Sequence, residues 1–143
     1  MDGILPHELA HILFREFVGF NNPRVPLWLD EGVAQYAEVA KREDALNYMK
    51  QALDQGIYIP LEKISAVGVG EDDTALAELF YMQSASLVHF LISKYGSGRF
   101  IDFCRALRDG RNIERALTSG ISSYLDSLDR FEETWKRYVL KTY

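Results

Sequence analysis

Apolar side chains recur every three or four positions along most of the chain, the spacing that lines up one face of an α-helix. From about Leu5 to Phe17 the repeat runs through Leu9, Ile12, Leu13 and Phe17, the expected buried side of a first helix. Pro6 fits only if that helix starts close to it. Gly19, Asn21, Asn22, Pro23 and Pro26 then form a cluster of turn formers that lets the chain come back. A second helix is expected over roughly Leu29 to Val39. Leu46, Met49 and Leu53, set among polar residues, predict a third, amphipathic helix from Asp44 to Asp54. Gly56, Pro60, Gly68 and Gly70, followed by Glu71-Asp72-Asp73, read as a surface connection and a plausible cleft rim. The longest pattern begins at Thr74, a possible cap, and continues to Tyr95, with Gly96 as its stop. Leu76, Leu79, Phe80, Leu87, Val88, Leu91 and Ile92 give it a broad apolar stripe. Further helices are expected from Gly98 to Arg108, from Ile113 to Leu117, and from Ser127 through Leu128, Phe131, Trp135 and Tyr138. No convincing alternating strand pattern and no repeat appears, so the fold class as given is all-α.

Composition narrows the function classes. A chain of 143 residues makes one domain, residues 1–143, with a sizeable core. At 48% hydrophobic and 13% aromatic residues it is not a disordered chain. The net charge of -5 and the lack of a basic stripe give no footprint for nucleic acid. No apolar run reads as a membrane span and no signal peptide precedes the first helix. Cys104, the single cysteine, sits on a patterned segment between Phe103 and Arg105 and reads as a buried structural thiol rather than a nucleophile.

The chemistry concentrates in two stretches, His7-Glu8-Leu9-Ala10-His11 and Trp28-Leu29-Asp30-Glu31-Gly32. Residues four apart share a helix face, so His7 and His11 can aim two imidazoles at one ion. Glu8 occupies the general-base position of the HExxH motif. Glu31, on the second helix, could supply a third ligand and leave a fourth tetrahedral position to water. The turn-rich connection is what lets a second helix bring that carboxylate back. His89 lacks a carboxylate partner in the pattern and reads as a packed or surface histidine, and Asp30 as a possible cap of the second helix. Glu71-Asp72-Asp73 lacks EF-hand spacing and reads as a solvated loop.

These two stretches resemble the gluzincin clan of zinc peptidases, which includes thermolysin and aminopeptidase N. The tryptophan-leucine lead-in to Glu31 is closer to aminopeptidase N, with Asp30 in place of an asparagine, while the distance from His11 to Glu31 is of the thermolysin type. The bacterial peptidase-MA-like group matches best overall, and the resemblance extends over Tyr81-Met82-Gln83-Ser84 through Tyr95-Gly96 and over Phe131-Glu132-Glu133-Thr134-Trp135. It implies zinc held by His7, His11 and Glu31, hydrolysis of a peptide or protein substrate, and Glu8 as base. It also implies that Tyr81 donates its hydroxyl to the oxyanion, although Gln83 and Ser84 stand where lysine and glycine are usual. Gln35, one turn beyond Glu31, occupies the place of a thermolysin aspartate that orients a ligand histidine.

The same resemblance implies an upstream β-sheet that this chain has no room for. The chain is therefore expected to be either the helical part of a zincin-like (α+β) domain, the favoured reading, or a minimal relative that builds its cleft differently. Two other classes remain: a zinc-binding but non-catalytic scaffold or incomplete peptidase, and a metal-free helical interaction protein. Intact Glu8 argues against the first, and the paired motif against the second.

Overall fold

The computed structural model describes residues 6–66 and 74–142, and among them every regular element is helical. The helices are α1 (Pro6–Val18), α2 (Leu27–Ala37), α3 (Val39–Asp54), α4 (Leu61–Ala66), α5 (Thr74–Tyr95), α6 (Ser97–Arg108), α7 (Ile113–Ala116) and α8 (Leu128–Thr142), with a π-helical turn at Leu117–Ile121. The expected helices are all present, with ends moved by a few residues except at α3, which starts immediately after the break at Glu38 rather than at Asp44. The acidic run Glu71-Asp72-Asp73, Gly68 and Gly70 lie outside the described residues.

Helix α5 is the axis of the bundle. Its side chains from Gln83 to Val88 are all buried, and α2, α3, α6 and α8 pack around it. Contrary to the expectation that no apolar run reads as a membrane span, α5 is long and apolar enough to cross one by length and composition alone; its burial inside the bundle instead fits a core helix. The core is filled by Leu29, Leu46, Met49, Leu87, Phe90, Phe103, Phe131 and two tryptophans. Both indole N–H groups remain satisfied, Trp28 donating to Ser65 Oγ and Trp135 to Ser86 Oγ, each at 3.0 Å.

Two expectations need correction. Leu9, Ile12, Leu13 and Phe17 are exposed, between 37% and 56%, and α1 instead buries Phe14 and Val18. Helix α1 is apolar on two sides, so periodicity alone cannot say which side meets the bundle; the side that carries His7 and His11 does. The stretch after Gly56, expected as an open connection, also contains α4. A six-residue helix offers too little repeat to be seen in sequence, and this one is held by remote groups: the Glu132 carboxylate accepts from Leu61 N–H at 2.8 Å. Just before it, buried Gln83 clasps Ile59, accepting from its N–H at 2.8 Å and donating to its carbonyl at 2.7 Å.

Truncating the axis should therefore cost far more than changing the outer side of α1. Leu87→Ala is expected to lower unfolding free energy by about 2–5 kcal/mol. Ile12→Gln or Leu13→Gln should stay within about 0.5 kcal/mol of wild type, as surface substitutions do. Urea unfolding curves of the variants compare the two directly.

Candidate metal centre

Helix α1 places His7, His11 and Arg15 one turn apart along the side that faces α2. Gly19, with φ +95°, ends this helix, donating its N–H to the Arg15 carbonyl at 2.9 Å, and the chain turns back through Asn22. The Asn22 side chain fixes that turn by donating to the Val18 carbonyl at 2.8 Å and accepting from Arg24 N–H at 2.9 Å. Helix α2 then enters the bundle with Trp28 and Leu29 fully buried. Gly32 seats it: a Cβ there would stand 2.4 Å from the Ser84 carbonyl oxygen and 2.4 Å from Val88 Cγ2 of α5. Only glycine permits this approach, and it sets the neighbouring Glu31 opposite α1.

Three of the sequence candidates come together there. His7 Nε2 and His11 Nε2 are 3.1 Å apart, and the Glu31 carboxylate oxygens lie 3.7 Å from the first and 3.4 Å from the second. The two rings meet edge-on, their centroids 4.8 Å apart and their planes at 74°. Ligands bound tetrahedrally at the usual zinc distances are separated from one another by about 3.3 Å. The three side chains thus approach one another to near the separations that ligands of a single tetrahedral ion would have.

The outer nitrogens explain why the inner ones converge. His11 Nδ1 is 2.9 Å from Asp30 Oδ1, so the proton belongs on Nδ1 and Nε2 carries a lone pair. His7 Nδ1 is 2.9 Å from Glu38 Oε1. That approach is short but not aligned as a hydrogen bond, leaving Nδ1 without one, so Glu38 constrains its ring less than Asp30 constrains His11. With its proton on Nδ1, His11 turns an Nε2 lone pair toward His7 Nε2, 3.1 Å away. With His7 in the same tautomer, two lone pairs and a carboxylate would face one another, an arrangement that a cation relieves. The donor set, two imidazoles and a carboxylate, suits zinc.

The remaining sequence candidates are not among the three convergent groups. Glu8 is exposed on α1 beside His7. Tyr81 is 40% exposed on α5, with its ring against that of Phe80, centroids 5.7 Å apart. Gln35 is half-buried, but the groups at the outer histidine nitrogens are Asp30 and Glu38. Asp30 is not the cap of α2: Pro26 holds that position, without a side-chain bond. His89 packs half-buried near the Tyr36 ring, centroids 6.0 Å apart; desolvation and then the Arg42 charge lower its pKa. Arg15 was missed in the sequence. Its signal, an arginine four residues after the second histidine, has meaning only once Asp30 is known to lie opposite.

Two helices offering imidazoles and a carboxylate in this geometry define a candidate metal centre on an HExxH helix. The family model described as the Peptidase MA superfamily matches residues 2–141, and the chain belongs to that superfamily. No curated protein and no solved structure matches the chain.

Two outcomes are expected from this geometry. Gly32→Ala should force α2 away from an immovable backbone carbonyl and cost about 1–3 kcal/mol, measurable by thermal or urea unfolding. Cys104 is buried and desolvation pushes its thiol pKa up to about 12. At pH 8 it should resist a thiol-specific reagent in the native protein and react once urea unfolds it.

Proposed function

We propose that the chain is a zinc-dependent peptidase acting on a peptide or protein substrate, with His7, His11 and Glu31 as metal ligands. The observation that carries this reading is the convergence of three acceptor groups to within 4.8 Å of one another. Zinc bound there would supply a water of lowered pKa and polarise the scissile carbonyl. Glu8 follows His7 by one residue, so it projects from α1 about 100° around the helix from that ligand. Its exposed carboxylate can take the proton of the attacking water and return it to the leaving amine. Tyr81 would donate its hydroxyl to the developing oxyanion. In its support, Tyr81 precedes by one turn the Ser84 against which Gly32 rests, and it keeps its side chain exposed beside the buried Leu79 and Phe80. The exposed apolar side of α1 supports a domain that works beside a further subdomain, as the resemblance implies.

Elemental analysis and peptide hydrolysis test the proposal together. The purified protein should carry about one zinc per chain, and Glu31→Ala should lose it or hold it much more weakly. Glu8→Gln should keep the metal while hydrolysis of a fluorogenic peptide set falls by roughly 10²–10⁴-fold. Failure to take up zinc at neutral pH would sink the whole reading. Zinc bound with no hydrolysis, or hydrolysis indifferent to Glu8→Gln, would leave only the scaffold.

A further inference from the structure

We infer that Asp30, braced by Arg15, is the positioning residue of this centre, in place of residue 35. The inference rests on the zinc reading above and concerns which chain groups hold His11 in a ligating orientation.

The Asp30 carboxylate divides its two oxygens. Arg15 occupies Oδ2 through both Nε at 2.9 Å and Nη2 at 2.7 Å, and Oδ1 is left to His11 Nδ1 at 2.9 Å. The side chains of Asp30 and His11 are only 11% and 12% exposed, whereas that of Arg15 is 46% exposed. Arg15 approaches from the solvent side without competing for the oxygen that His11 uses. Arg15 Nη2 also comes within 3.3 Å of His11 Nδ1. A guanidinium can only donate, so a hydrogen bond there would require a bare Nδ1. A bare Nδ1 would set its lone pair against Asp30 Oδ1 at the shorter distance of 2.9 Å. The proton on Nδ1 resolves the contact, and His11 presents Nε2 to the centre.

A carboxylate one residue before Glu31 thus reaches the outer nitrogen of His11. Helix α2 thereby carries a candidate ligand and its orienting group on consecutive residues, and α1 carries His11 and the brace one turn apart. The competing explanation is structural: Arg15 and Asp30 could simply tie α1 to α2. That tie would affect folding of the metal-free chain and leave metal affinity alone once the chain is folded.

Zinc affinity, measured by competition with a chromophoric chelator, separates the two when read beside the melting temperature of the metal-free protein. Asp30→Ala should weaken zinc binding by about 10–100-fold, and the visible spectrum of the cobalt-loaded protein should change. Asp30→Asn, whose amide oxygen can still accept from Nδ1–H, should recover part of that loss. Arg15→Gln changes an exposed side chain and should weaken zinc in the same direction by a smaller factor. If Asp30→Ala fails to fold, the Asn and Gln variants decide. Wild-type zinc affinity and cobalt spectrum in the folded variants, with only a lowered melting temperature, would overturn the positioning role. Failure of the wild-type chain to bind zinc would instead overturn the metal reading on which it rests.

Discussion

The candidate centre depends on how closely α2 can approach α5. Two helices whose side chains interdigitate normally keep their axes about 8–10 Å apart. At Gly32 the absence of a side chain lets the backbone of α2 come down on the Ser84 carbonyl and Val88. Trp28 and Leu29 fill the space on the buried side of the same helix. With α2 so constrained, Asp30 and Glu31 have little freedom, and the imidazoles of α1 meet carboxylates already in place. The chemistry is carried on a surface helix, but its geometry is set by a contact deep in the bundle.

Much of the site was legible because its signals are local. A spacing of four brings His7 and His11 to one face, and a run of turn formers between Phe17 and Leu27 announces that the chain returns. Glu31 followed by glycine marked the second helix as the returning one. What could not be read depended on relations between elements. Leu9, Ile12, Leu13 and Phe17 have a sound helical repeat, yet a helix with two apolar sides gives no sign of which one is covered. Asp30 looked like a cap because caps and acidic first turns share a composition. Only its distance to His11 reveals the other use.

The stretch Gln83-Ser84 shows the same limit from another direction. In sequence these residues are departures from a lysine-glycine pattern and weaken the case for Tyr81. In the structure both contribute to packing: Gln83 satisfies the Ile59 backbone in a segment with no strand partner, and Ser84 supplies the carbonyl on which Gly32 rests. A buried amide that pairs with both polar groups of one residue substitutes for a missing neighbour, since an unpaired buried amide or carbonyl is costly. The Gln83 departure thus has a structural role of its own, tying α5 to the segment that leads into α4. The role of Tyr81 is a separate chemical question.

Helix α1 gives the bundle just two buried apolar side chains, Phe14 and Val18; the cluster around His7, His11 and Arg15 supplies its polar contact with α2. Anything that binds only when the helix is seated also shifts the balance between docked and released forms. An ion held by His7, His11 and Glu31 would make metal supply and the docking of α1 one equilibrium seen from two ends, so that losing it would loosen this helix before the rest of the bundle yields.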